Sequence, residues 1–192
     1  MKKSTIYDRN LKLRKEVSAS SFYFLFSEII QYSIRQDIHD LEKQLEELGI
    51  PLGARFLELI ILREKGSKKE TTIVNMLMLI KNNLWPLMFN KNNCVVEQHM
   101  DQENIYMIKE IEPNMCNQFA SLPRGQCHMN CASFIAGIIE GLLTAAKFPA
   151  KVTAVFDDGE EAKAEEGEEK RTVYLIKFED EVLVREAKSK KF

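Results

Sequence analysis

The stretch from Met129 to Phe156, MNCASFIAGIIEGLLTAAKFPAKVTAVF, leaves this chain the least freedom in how it folds. It reads as an apolar helix of about five turns. The helix breaks at Phe148-Pro149, and the chain restarts as a strand carrying Val152 and Val155. Ile135, Ile138, Ile139 and Leu142 recur at three- and four-residue spacing, which puts them on one helix face that must be buried. Gly137 and Gly141 stand one turn apart on that helix. Each glycine weakens an isolated helix by about 1 kcal/mol relative to alanine, so the pair points to a place where another backbone comes close. The expectation is the central helix of a mixed domain, leading directly into a sheet.

The segments before it supply the helices that such a helix needs as neighbours. FYFLFSEIIQYSIRQ follows Ser18, Ser20 and Ser21, any of which can cap it, because a serine oxygen accepts from an orphan backbone amide. Phe22, Leu25, Phe26, Ile29 and Ile30 make one face of it, while Tyr23, Phe24 and Ile34 extend beyond. A surface helix needs one apolar stripe, so the excess predicts a second buried contact, between subunits or by simple burial within the chain itself. In the next segment Ile38, Leu41, Leu45 and Leu48 step along one face, Gly49 and Pro51 interrupt, and Phe56, Leu57, Ile60 and Ile61 resume. This predicts two joined helices, with Glu42, Glu46 and Lys43 as ordinary exposed charges. A third helix is predicted from about Lys69 to Phe89, ended or kinked by Pro86, with the single tryptophan, Trp85, as a buried anchor.

After Asn92-Asn93 the period changes from helix to strand. NCVVEQ and ENIYMIKEI alternate and flank a short polar turn, which predicts an antiparallel hairpin. Beyond the central helix and its strand, Asp157 to Glu169 holds eight acids, one lysine and two glycines. That composition predicts a disordered insertion over about 157–170, inside a hairpin closed by the strand RTVYLIKFEDEVLVREA, with Val173, Leu175, Val182 and Val184 on paired positions. The fold class is α+β, one domain over 18–192 behind a basic arm at 1–17. That arm carries six Lys or Arg against two acids.

A formal net charge of −2 gives no general reason to expect nucleic acid as a partner. No apolar core follows Lys2 and Lys3, and no apolar run reaches the roughly 20 residues of a membrane span, so the expectation is a cytoplasmic protein with reduced thiols. Cys94, Cys116, Cys127 and Cys131, with His99 and His128, lack the second ligand pair of a zinc site. His39, His99 and His128 carry no nucleophile motif around them, and Glu140, the one acid within the central helix, reads as a helix-edge residue or a partner for Arg or Lys rather than a base. No catalytic residue, cofactor or metal is expected.

The segments FLFSEIIQYSIRQ, DLEKQLEELGIPLGARFLELIILRE, KETTIVNMLMLIKNNLWPLMF and NCASFIAGIIEGLL, in this order and spacing, closely resemble the Bet-three-like small subunits of the transport protein particle (TRAPP) tethering complex. The resemblance implies about four helices packed on one face of a four-stranded antiparallel sheet. It implies heterodimers with other small TRAPP subunits, built through the first helices and joined into a multi-subunit rod. The rod would lie peripherally at cis-Golgi and endoplasmic reticulum membranes, where the assembled complex acts as exchange factor for a Rab GTPase. The partner-interface residues expected here are Phe22, Leu25, Ile29, Ile30, Ile38, Leu41 and Leu45. Some relatives carry an acylated cysteine just after the second long helix; REKGSKKE at that place has none. A small module binding an apolar ligand, in a space lined by Trp85, Phe134 and Ile138, is the alternative.

Overall fold

The computed structural model describes residues 18–36, 40–64, 69–100, 102, 104–112, 115–118, 129–157 and 171–189. The basic arm at 1–17, the insertion at 158–170, Ile38, His39, Cys127 and His128 lie outside the described residues.

Helix α1 (Ala19–Arg35) starts at Ser18, which takes the cap position in extended backbone. Its hydroxyl makes no capping bond; its carbonyl instead accepts from the Ser21 amide at 3.0 Å. Helix α2 (Leu41–Arg63) is capped by the Asp40 carboxylate, which accepts from the Lys43 amide at 3.0 Å. The expected break at Gly49–Pro51 does not occur: α2 is one helix with Pro51 inside it. Pro51 removes the donor that would reach the Glu47 carbonyl, but both residues are exposed, so water can satisfy that carbonyl. The glycines in α2 therefore have another purpose.

Helix α6 (Ser133–Ala145) provides it. Gly49 and Gly53 on α2 face Gly137 and Gly141 on α6, and the two backbones touch. A Cβ on Gly49 would stand 2.8 Å from the Ile138 amide nitrogen, and one on Gly141 would collide with the Ile50 carbonyl. The close approach expected at Gly137 and Gly141 is thus present, and α2 is what approaches. Helix α6 is shorter than its apolar run suggests, because the chain turns through Lys147 in the left-handed region (φ 67°) before Phe148-Pro149.

The third helical body runs as α3 (Ile73–Leu79), a π-helical turn (Ile80–Leu84) and α4 (Trp85–Phe89). The Thr72 hydroxyl caps it, accepting from the Asn75 amide at 3.3 Å. The wide π turn ends at Leu84, two residues before Pro86, whose missing N–H leaves a carbonyl of the preceding turn without its α-helical donor. Trp85 is buried, with its indole donating to Asn93 Oδ1 at 3.1 Å and its ring against Phe89 and Tyr174.

Strands β1 (Cys94–Gln98), β2 (Ile105–Glu110), β3 (Ala150–Phe156) and β4 (Thr172–Phe178) form one antiparallel sheet in the order β1-β2-β4-β3. Both expected hairpins are present, the second with Val152 opposite Ile176 and Phe156 opposite Thr172. Tyr106, Ile108, Val152, Tyr174 and Ile176 point into the core, where α6 lies against the sheet and α2 against α6. Two further helices, the short α5 (Met115–Gln118) and the terminal α7 (Asp180–Ser189), bring the helical bodies to six among the described residues rather than about four. The α7 segment corrects the strand expected to continue through Val182 and Val184. Strand β4 ends at Phe178, Asp180 and Glu181 occupy the helix first turn where its dipole favours acids, and Val182 is buried while Val184 is exposed.

Candidate partner interface

Helix α1 buries Phe26, Ile30 and Ser33 and presents the opposite line to solvent. On that line Phe24 is 78%, Leu25 62% and Tyr32 58% exposed, and Phe22, at 36%, stacks on the buried Phe26 with centroids 5.6 Å apart. Phe26 in turn packs on Phe134 of α6. Burying a side chain of this size is worth about 1.5–3 kcal/mol, so three left open on one helix face make an uncovered apolar patch whose burial would be favourable. The only charges on its central line are Glu28 and Arg35, which pair with each other at 3.2 Å across two turns.

The seven residues expected at an interface separate into distinct positions. Phe22 and Leu25 are on the exposed face, Ile29 is half-buried against the core, and Ile38 lies outside the described residues. Ile30, Leu41 and Leu45 are between 0% and 3% exposed and belong to the chain's own core, a correction. A single helical stripe cannot say which of two apolar faces looks inward. Phe24 and Tyr32 are absent from the expected set, yet Glu28 signals both, since residues four before and four after an exposed charge share its face.

The interior polar groups tie elements of the scaffold to one another. Glu42 and Glu46, expected as plain surface charges, are structural. Glu42 Oε1 accepts from the Asn130 amide at 2.7 Å, fixing the approach to α6, and Glu46 pairs with Lys151 of β3. Glu140 pairs with the same lysine at 3.4 Å, as expected of it, and also accepts from the Val152 amide at 3.0 Å on the free edge of β3. Burial opposes the charge on Lys151, but the two carboxylates outweigh it and hold the ammonium above its ordinary range. Glu110 is buried and receives a hydrogen bond from the Tyr174 hydroxyl at 2.7 Å; burial and that carboxylate push the phenol well up. Asn130 Oδ1 accepts from the Ala132 amide and from Asn117 Nδ2, both at 3.0 Å.

Cys94, Cys116 and Cys131 are free and buried. Burial pushes the Cys94 thiol up to about 11 and the Cys131 thiol up to about 12, and Cys116 is raised further. Thiols held protonated in this way are poor nucleophiles and poor metal ligands. Of the three residues expected to line a ligand space, Trp85 packs on Phe89 and Tyr174, Phe134 packs on Phe26, and the backbone of Ile138 lies against the Gly49 position. Among the described residues no helix is long and apolar enough to cross a membrane.

The chain has known counterparts. The family model described as transport protein particle (TRAPP) component matches residues 22–179. "Trafficking protein particle complex subunit 5" of Dictyostelium discoideum is 44% identical over 188 residues, covering 95% of this chain and 96% of that protein. The Homo sapiens protein of the same name is 37% identical over 187 residues, covering 96% and 93%. "Trafficking protein particle complex subunit 31" of Saccharomyces cerevisiae is 28% identical, covering 95% and 83%. Among solved structures, a trafficking protein particle complex subunit 3 from Naegleria fowleri, covalently bound to palmitic acid, superposes with a TM-score of 0.63. It covers 83% of this chain and 94% of its own at 16% identity, which shows the shared fold. By the span of the family match and the identity to these relatives, the chain belongs to the transport protein particle (TRAPP) component family.

Proposed function

We propose that this chain is a structural subunit of a TRAPP vesicle-tethering complex, supporting transport from the endoplasmic reticulum to the Golgi and Rab GTPase nucleotide exchange by the assembled complex. It works through contacts, not chemistry of its own. It pairs with another small TRAPP subunit as a heterodimer within a rod held peripherally at those membranes, and it takes no nucleic acid. Near full-length identity to proteins named trafficking protein particle complex subunit 5 supports the reading. The observation that carries it is the α1 face, where Phe24, Leu25 and Tyr32 stand open although the chain has a complete core beneath them.

Co-expression with the other small TRAPP subunits, followed by size-exclusion chromatography, tests it. The wild-type chain is expected to co-elute with at least one of them. Leu25→Asp, which sets a charge into the patch without touching the core, is expected to weaken that pairing by at least about a hundredfold. Wild-type chain that co-elutes with none of the subunits overturns the reading, and unchanged pairing of Leu25→Asp removes α1 from it.

A further inference from the structure

We infer that Glu28 sets which partner the α1 face accepts, excluding a second copy of this chain and favouring a different helix that presents a hydrogen-bond donor or a cation at the crossing point. The inference rests on the proposed role of α1 as a docking face and goes further, to the chemistry of the occupant.

Glu28 holds the centre of the patch in both directions. Along the axis it is midway between Phe24 and Tyr32, about 6 Å from each at 1.5 Å per residue. Around the axis, at about 100° per residue, Phe24 falls to one side of Glu28 and Tyr32 and Leu25 to the other, within an arc of about 100°. Its side chain is 65% exposed, as is that of Arg35, its partner at 3.2 Å. Any partner helix that covers the three apolar residues must therefore cover Glu28 as well.

A second copy does this badly. Two identical chains pair about a two-fold axis, so the residue at the centre of the patch meets itself. Matching Phe24 of one copy to Tyr32 of the other puts the axis at residue 28, and matching Leu25 to Tyr32 moves it by only half a residue. Both registers bring two carboxylates together as water leaves. Each Arg35 sits about 10 Å farther along its helix toward the end of the patch, so it reaches its own glutamate from one side only and leaves the other side facing the copy. Like charges brought together in this way suppress the wrong partner. A different chain with an apolar stripe and a donor or cation opposite Glu28 meets no such penalty, and it completes the half of the carboxylate that Arg35 leaves open.

Sedimentation velocity on the full chain tests this, using wild type, Glu28→Gln, Glu28→Arg, and an equal mixture of wild type with Glu28→Arg. Wild type is expected to stay monomeric over the range in which Glu28→Gln self-associates with a Kd at least about tenfold lower. Glu28→Arg alone is expected to remain monomeric, because its own copies repel, while its mixture with wild type forms a one-to-one pair. A tight wild-type homodimer overturns the inference, and so does equal behaviour of all four samples. If Leu25→Asp abolishes subunit pairing but Glu28→Gln leaves self-association unchanged, only the role of Glu28 falls. If Leu25→Asp leaves pairing unchanged, the docking role of α1 falls, and this inference with it.

Discussion

At the scale of single residues, burial decides what each reactive-looking group can do. Cys94 and Cys131 have thiols raised to about 11 and about 12 from an ordinary 9.0, with burial the largest cause in both, and Cys116 is raised further. The sign follows directly: at about pH 8 the native chain holds these thiols protonated, whereas the unfolded chain ionises a measurable fraction. Alkylation with iodoacetamide at about pH 8, read by peptide mass mapping, should modify Cys94, Cys116 and Cys131 at least about a hundredfold more slowly in the native protein than in urea. Native rates within about threefold of the unfolded ones would show that the thiols are accessible. The sequence could show that cysteines and histidines lacked a metal pattern, but not that burial raises the thiols, because burial is set by residues far along the chain. The same limit hid Glu110, whose neighbour Tyr174 is 64 residues away, and it made Glu42 and Glu46 look like surface charges.

Among the elements, the contact of α2 with α6 decides the architecture. Gly137 and Gly141 were legible as a close backbone approach, because nothing else explains two glycines on one apolar helical turn. Gly49 and Gly53 were not. Beside Pro51 the first of them imitates a helix stop, and only the facing pair on α6 shows that it is a contact surface. The C-terminal segment failed for a related reason: Val182 and Val184 alternate as a strand would, but Asp180 and Glu181 start a helix, and an alternating pair is too short to settle a period. Substituting either member of the contact should be severe. Gly141→Ala drives a methyl group into the Ile50 carbonyl, and neither backbone can withdraw without opening the core. Chemical denaturation should show a loss of at least about 3 kcal/mol for Gly141→Ala, against less than about 1 kcal/mol for Thr144→Ala on the exposed side of the same helix. Similar losses at the two positions would mean that the helices can move apart at little expense.

For the whole molecule, the division of labour is between an interior that sets the fold and an exterior that meets partners. The interior stretch from Met129 to Phe156 was the most legible part of the sequence, since its pattern admits few folds and carries the family resemblance. The proposed partner surface was legible only in part: the excess of apolar residues on α1 announced more than one apolar face, but which of them stays open depends on how α1 sits over Phe134. Assembly through α1 therefore has a distinct signature. Hydrogen–deuterium exchange of the chain, alone and in its purified heterodimer with another small TRAPP subunit, should show slower exchange on pairing across Ala19–Arg35, with the outer face of the sheet unchanged. Slower exchange confined to β1, β3 or α7, with Ala19–Arg35 unchanged, would contradict docking through the first helix.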